Sequence, residues 1–124
     1  MIVIVLDLPP KELNPNSRAF WRVKRLAVKS YREHAKIESM VAARRYNLYD
    51  SFREVKIQAA FYRARNVPMD GDNALAMLKP AFDGLQDAGI VTNDRQITHL
   101  PVLFFKDVES PRVELRIERS TSSA

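Results

Sequence analysis

The sequence predicts an α+β domain in which two helices pack on one face of a small mixed sheet of four strands. Some segments alternate between apolar and polar residues, and others repeat with the helical period. The two kinds of segment follow each other in the order β-α-β-α-β-β, which is typical of this class. The chain has 124 residues, of which 46% are hydrophobic, so it can bury the core of a single domain.

A strand and a long helix are expected first. Residues 1–8 are rich in β-branched side chains and are followed by two prolines, which predicts a strand that ends there. Turn-forming residues come next, and Asn16 or Ser17 is a candidate N-cap for a helix that runs to about residue 46. The apolar start is too short for a membrane span. It also lacks the basic residues and the cleavage site of a signal peptide.

A second strand and a second helix follow. Residues 55–62 alternate between apolar and polar side chains, which predicts a strand with one buried face. Residues 72–88 have the helical period and precede Gly89, a residue type that commonly follows a helix end. Pro80 lies inside this segment and removes one helical hydrogen bond, so we expect a kink there.

Two strands complete the predicted domain. Pro101 interrupts the strand predicted at residues 97–106, which places this strand at a sheet edge or gives it a bulge. Residues 112–119 alternate cleanly and predict the last strand. Residues 1–119 therefore form one domain, and the polar residues 120–124 are expected to be a disordered tail.

The chain is basic and contains no cysteine. Its formal net charge is +5 and its pI is about 9.7, and basic domains often bind nucleic acid. The absence of cysteine excludes disulfides and thiolate metal sites, and it fits a reducing cytoplasm. We therefore expect a cytoplasmic protein with an anionic partner.

One face of the first predicted helix is almost continuously basic. At 100° per residue, six basic residues fall within an arc of roughly 80°, and five apolar residues centre on the opposite side. A polyanion would bind such a stripe through counterion release. Alternatively, the stripe is a solvated face that pairs with acids from elsewhere in the fold or from a second subunit. The basic residues are Arg18, Arg22, Arg25, Lys29, Arg32 and Lys36, and the apolar ones are Phe20, Val23, Ala27, Tyr31 and Val41.

Two aromatic residues lie near the start of this helix. Phe20 and Trp21 could stack on unpaired bases. Aromatic residues in such a position more often belong to a core or an interface, and we expect these two to lie in the core.

Two carboxylates flank a glycine just before the second predicted helix. In an extended segment Asp70 and Asp72 would point the same way, roughly 6.5–7 Å apart at Cα, and Gly71 would let the backbone bend toward a ligand. Mg²⁺ prefers oxygen ligands and needs few carboxylates. Lys79 and Asp83 project to the same side of the helix as Asp72, where the lysine could offset charge on a phosphate. For this fragment alone, a capped turn is the simpler interpretation.

Other kinds of site are excluded by position. In an EF-hand loop that began at Asp70, oxygen ligands would be required where Ala74 and Ala81 stand. A zinc site is not expected, because His34 and His99 are far apart in sequence and cysteine is absent. The chain also has no glycine-rich phosphate loop.

Four motifs recur together in an order that spans nearly the whole chain. With these motifs, the chain resembles the RusA family of Holliday-junction resolvases, which are small endodeoxyribonucleases of bacteria and prophages. The motifs are Leu8-Pro9-Pro10 followed by Asn14-Pro15-Asn16-Ser17-Arg18, then Asp70-Gly71-Asp72-Asn73, then Lys79-Pro80-Ala81-Phe82-Asp83-Gly84-Leu85, and finally Ala88-Gly89-Ile90-Val91-Thr92-Asn93-Asp94.

The resemblance implies a RusA-like nuclease domain that acts as a homodimer on a four-way DNA junction and nicks two opposing strands. It assigns the essential acids and metal ligands to Asp70, Asp72 and Asp94, and the essential lysine to Lys79. The cofactor would be Mg²⁺ or Mn²⁺, and the protein would act in the cytoplasm of a bacterium or a phage-infected cell. One departure from the family is Asn93, which stands where a second aspartate is common.

Supporting and DNA-binding roles complete this hypothesis. Gly71 and Asn73 would support the acidic site. Arg63 and Arg65, together with the basic stripe, would follow the arms of the junction through phosphate contacts, which position DNA without determining sequence preference.

Three other functions are open at this point. The chain could be a catalytically silent DNA-binding homologue that binds junctions without nicking them. It could be a metal-dependent nuclease for other branched or flapped phage DNA. It could also be a basic structural protein, in which Asp70, Asp72 and Lys79 would tolerate substitution without loss of function.

Overall fold

The computed structural model describes residues 1–120, so residues 121–124 of the predicted tail lie outside the described part of the chain. Within it, the class is α+β with a mixed sheet, as expected, but there are five strands and three helices instead of four and two. The elements are β1 (Ile2–Leu6), α1 (Trp21–Arg45), β2 (Val55–Arg63), α2 (Gly71–Met77), α3 (Lys79–Asp87), β3 (Ile97–His99), β4 (Leu103–Lys106) and β5 (Arg112–Arg119).

The sheet is built around β2. On one side β2 pairs with β5 in antiparallel register, and β5 in turn pairs antiparallel with β1. On the other side β2 pairs in parallel with both β3 and β4. The order is therefore β1-β5-β2, with β3 and β4 following one another along the far edge of β2.

The strand predicted at residues 97–106 is divided into β3 and β4. Pro101 lies between them, where it cannot donate a hydrogen bond to the sheet. The gap is held by β2: the Leu100 amide donates to the Ile57 carbonyl at 2.9 Å, and the Gln58 side chain donates to the Pro101 carbonyl at 3.0 Å. The prediction that this strand lies at an edge of the sheet is confirmed, but the prediction of one continuous strand is wrong.

Alternation correctly identified the buried face of the sheet. In β5, Val113, Leu115 and Ile117 are buried, while the residues between them are partly exposed. In β2 the expected inward residues are likewise buried, and Ala60 on the other face is buried too. Helix α1 packs against β1 and α3, and buried residues of α1, α2 and α3 join those of the sheet in one core.

The helix predicted at residues 72–88 is interrupted at Leu78. This residue ends α2 and immediately precedes α3, and its amide is shared between the carbonyls of Ala74 and Leu75. Pro80 stands in the first turn of α3, where its missing N–H costs nothing. The proline therefore separates two helices, where we had expected one kinked helix. Gly89 follows α3 with a φ of +81°, as its predicted role requires.

Helix α1 begins at Trp21, later than predicted. The Ser17 hydroxyl accepts a hydrogen bond from the Ala19 amide at 3.2 Å and so closes a turn ahead of the helix. Phe20 occupies the N-cap position without a side-chain cap. The predicted caps are therefore wrong, and Arg18 lies outside the helix.

The buried face of α1 also differs from the prediction. Tyr31 is buried, but Phe20, Trp21, Val23 and Val41 are exposed. The exposed fraction of Phe20 is 72%. The expectation that the two aromatic residues lie in the core is therefore wrong. The buried residues of the helix are Tyr31, Ala35, Ser39 and Ala42. The positions of α3 and β1 decide which face of α1 is buried. The amphipathic pattern of α1 alone does not determine this face.

The basic stripe of α1 partly faces α3. The Arg32 guanidinium donates two hydrogen bonds to the Asp87 carboxylate, at 2.6 and 2.8 Å. This ion pair lowers the pKa of Asp87, chiefly through the hydrogen bond from Arg32 and with a further contribution from the charge of Lys36. For Arg32, the alternative of acidic partners from elsewhere in the fold is therefore confirmed.

Replacing Arg32 with glutamine should destabilise the protein in a pH-dependent way. Because the pKa of Asp87 is lowered in the folded state, the pair contributes stability above the ordinary value of 3.8 and loses it as the pH falls through the lowered value. Arg32 is half exposed, so we expect a loss of at most about 1 kcal/mol at pH 7. Urea unfolding of both proteins at pH 7 and below pH 3 measures this.

The matched control is Arg25→Gln, which removes an exposed arginine of the same helix that makes no ion pair and no aromatic contact within residues 1–120. Its stability should match that of the wild type at both pH values. A deficit for Arg32→Gln that stays the same in acid would contradict the assignment to Asp87.

Within residues 1–120, no helix has both the length and the hydropathy needed to cross a membrane.

Candidate functional site

Asp70 and Asp72 lie at the start of α2, on the surface. Asp70 is extended (φ −72°, ψ 132°) and is the N-cap residue, and its Oδ1 accepts a hydrogen bond from the Asp72 amide at 3.0 Å. Asp72 is already in the first turn of the helix. The segment is therefore not extended from Asp70 to Asp72, and the simpler interpretation as a capped turn is confirmed. Both carboxylates are exposed, and Asp70 keeps one oxygen free of this cap bond.

Lys79 connects two further acids. Its ammonium lies 3.4 Å from the Asp83 carboxylate one turn along α3, as predicted from the helical period. It also lies 4.0 Å from the carboxylate of Asp94, which follows α3 in the chain. The Lys79 and Asp94 side chains are each 63% exposed, so a ligand in solution can reach both. The fold therefore brings together two of the four predicted catalytic residues, although they are 15 positions apart.

The turn that carries Asp94 is held by a capping box. The Asn93 side chain accepts a hydrogen bond from the Arg95 amide at 2.9 Å, and the Gln96 side chain accepts from the Asn93 amide at 3.0 Å. Asn93 therefore has a structural role at the position where the RusA pattern often has an aspartate. The preceding turn at Gly89 is fastened by the Ser51 hydroxyl, which donates to the Gly89 carbonyl at 2.5 Å.

The three acids predicted as metal ligands, Asp70, Asp72 and Asp94, do not form one preassembled metal site. Within residues 1–120, no three His, Cys, Asp or Glu side chains are grouped closely enough to hold a metal ion together. The donor chemistry of Asp70 and Asp72 nevertheless fits Mg²⁺, which binds through one or two carboxylates and completes its shell with waters and phosphate oxygens. Asp94 is associated with Lys79 instead of with this pair.

A shallow groove of about 290 Å³ runs beside Lys79. Its walls are the segment before α1, the first turns of α1 and the junction of α2 with α3. Lys24 of α1 lines the groove together with Lys79, and the acids Glu12 and Asp83 line it as well. Sequence reasoning missed Lys24, because it is outside the basic stripe and only the packing of α1 on α3 directs it here.

The predicted DNA-binding residues fall into two groups. Arg18, Arg22, Arg25 and Lys29 are exposed. Arg32 is paired with Asp87, and Lys36 beside it is half-buried.

The two arginines near the end of β2 differ from each other. Arg63 is half-buried, with its guanidinium over the ring of Phe104, and it donates a hydrogen bond to the Val67 carbonyl. It therefore fastens the loop that leads to Asp70. Arg65 lies on that loop and is exposed, so it is available to a ligand.

Comparison with known proteins finds a similar protein in Xylella fastidiosa (strain Temecula1 / ATCC 700964). It is 30% identical over 96 residues, which make up 77% of this chain and 63% of the relative. The chain therefore spans less than two thirds of the length of this relative, whose recorded name is "Uncharacterized protein". No protein-family model matches the chain.

Proposed function

We propose that this protein is a RusA-like, structure-specific endodeoxyribonuclease that resolves four-way DNA junctions by paired, symmetric nicks. One observation carries the proposal: Lys79 and Asp94, distant in sequence, meet at 4.0 Å on an exposed surface. Both belong to the motifs by which the chain resembles RusA resolvases. A structural ion pair needs no such exposure, whereas a site for a DNA phosphate does.

The carboxylates of Asp70 and Asp72 would hold Mg²⁺ or Mn²⁺ together with water and phosphate oxygens, with Asp94 as a further acid beside the phosphate. Such an ion supplies charge neutralisation at the phosphate and lowers the pKa of a bound water. Lys79 places a positive charge where negative charge develops on the phosphate oxygens, which stabilises the transition state. Because the Asp70 carboxylate also caps α2, its position relative to Asp72 is defined by the backbone.

The exposed basic residues would bind the arms of the junction. Arg22, Arg25 and Lys29 follow one another along α1, and Lys24 borders the groove that contains Lys79. These residues would contact phosphates, so binding should weaken steeply as salt is raised. Two active sites on opposing strands require a homodimer, whose twofold axis would match the near-symmetry of the junction.

The first test is incubation of the purified protein with a labelled synthetic four-way junction, in Mg²⁺ and in EDTA. We expect symmetric pairs of nicks in Mg²⁺ and none in EDTA, and a linear duplex of the same sequence should stay uncut. Tight, salt-sensitive binding without nicks in Mg²⁺ or Mn²⁺ would contradict the proposal and indicate a silent DNA-binding homologue. Faster cutting of forks or flaps would indicate a nuclease for other branched DNA.

A further inference from the structure

The face of α1 that points away from the fold carries a row of exposed residues with regular spacing. Successive members are separated by three or four residues in alternation, which is the a/d spacing of a two-stranded coiled coil. Four of the six are apolar, and among them Leu26 is 67% exposed and Ile37 is 50% exposed. The row consists of Val23, Leu26, Ser30, Glu33, Ile37 and Met40.

The rest of the fold packs on the other side of the helix. Tyr31, Ala35, Ser39 and Ala42 are buried, and they occupy the positions that face water in an ordinary coiled coil. Helix α1 therefore has two apolar faces, of which this fold covers one. Two exposed apolar patches on one helix face, Val23 with Leu26 and Ile37 with Met40, are characteristic of a contact site.

We propose that this row is the contact surface between two copies of this chain, with their α1 helices antiparallel. The row reads almost the same in both directions: two apolar residues, two polar residues, two apolar residues. A twofold axis between Tyr31 and Arg32 then places Leu26 opposite Ile37 of the second copy, and Val23 opposite Met40. Each apolar residue therefore meets an apolar one, as a contact between identical surfaces requires.

The charges at the centre of the row favour the same arrangement. Near the axis, Glu33 lies opposite Ser30 of the second copy and beside its Lys29, so a hydroxyl and an ammonium face the carboxylate. Parallel helices would instead place Glu33 of one copy against Glu33 of the other, and like charges in contact are unfavourable. Nucleic acid is a poor occupant of this row, because four of its six side chains offer no donor to a phosphate.

The inference names the surface of the dimer that the proposed nuclease needs, and in that role it rests on the proposed function. The contact itself follows from the row on α1 alone. Its test therefore uses neither DNA nor metal. A stable dimer that cuts no junction would overturn the proposed function and leave the contact standing.

Sedimentation equilibrium of the full chain over a range of concentrations measures the contact. We expect the wild type to form a dimer, and we expect the dimer dissociation constant of Ile37→Glu to be at least tenfold higher. Each copy of this variant adds one negative charge to the contact, so every dimer carries two. The matched control is Val108→Glu, since Val108 is 66% exposed and lies in the turn between β4 and β5. A monomeric wild type, or an Ile37→Glu protein that dimerises as tightly as the wild type, would overturn the proposal.

Cysteine cross-linking tests the orientation, because the chain has no cysteine of its own. Leu26→Cys and Ile37→Cys proteins, mixed and oxidised, should form a disulfide between the two variants. Each variant alone should not, since equivalent residues of antiparallel copies lie roughly 16 Å apart along the axis, beyond the reach of a disulfide. Cross-linking of Leu26→Cys with itself would overturn the antiparallel arrangement. Unchanged melting temperatures would show that both variants remain folded.

Discussion

Replacement of Gly84 with valine is expected to lower the free energy of unfolding by about 3 kcal/mol, the upper end of the usual cost of overpacking a core. A Cβ at Gly84 would lie 2.5 Å from the Arg32 carbonyl oxygen and 2.9 Å from both the Ala35 Cβ and the Lys36 amide nitrogen. These atoms belong to α1, and the two backbone atoms cannot turn aside as the end of a flexible side chain can. The helices would have to separate. Urea unfolding measures the loss as a lower midpoint with an unchanged slope.

Gly71→Ala is the control for this prediction. No atom lies within 4 Å of a Cβ built on Gly71, and the residue is in the first turn of α2. We expect its stability to match the wild type or to exceed it by up to about 1 kcal/mol, because alanine reduces the freedom of the unfolded chain. A Gly84→Val protein as stable as this control would show that α1 and α3 do not need their close approach.

Replacement of Asp72 with asparagine is expected to reduce metal-dependent nicking of a four-way junction by at least about 100-fold, the scale of losing one electrostatic stabiliser of a transition state. The two side chains have nearly the same shape, so the change removes a negative charge and little else. The bond to Asp70 should persist, because it uses the Asp72 backbone amide. Single-turnover nicking rates in Mg²⁺, together with junction binding in EDTA, measure the effect.

Asp50→Asn is the matched control, since Asp50 is an exposed aspartate between α1 and β2. It should nick at the wild-type rate. Nicking by Asp72→Asn at the wild-type rate would contradict the model in which three acids act at the site. Loss of junction binding together with nicking would instead assign Asp72 a structural role.

The strands were predictable because their signal is local. Alternation in β2 and β5 placed Val55, Ile57, Leu115 and Ile117 on the buried face, and all four are buried. A period of two residues assigns a side chain to one face or the other, so few errors are possible. The division at Pro101 was only partly predicted, because a proline forbids one hydrogen bond without specifying whether a strand bends or stops.

The helices were less predictable in detail. Both ends of a helix can be shifted by local alternatives, as the Ser17 turn shows at the start of α1. The separation of α2 from α3 falls at Leu78, which is fully buried in the core and lies two residues before Pro80. The side of α1 that is buried was wrongly predicted at Phe20, Val23 and Val41, because this helix is apolar on two faces.

The sequence by itself determined the α+β class, the inward faces of β2 and β5, and the positions of the acids and the lysine around the second predicted helix, because all of these follow from spacing along the chain. Only the tertiary structure decided which basic residues remain free, that Lys79 meets Asp94, and that α1 keeps an uncovered apolar row. The first and last of these outcomes depend on how α1 and α3 pack at Gly84, a contact between residues about 50 positions apart that no local pattern specifies. The contact of Lys79 with Asp94 depends on the turns that follow α3.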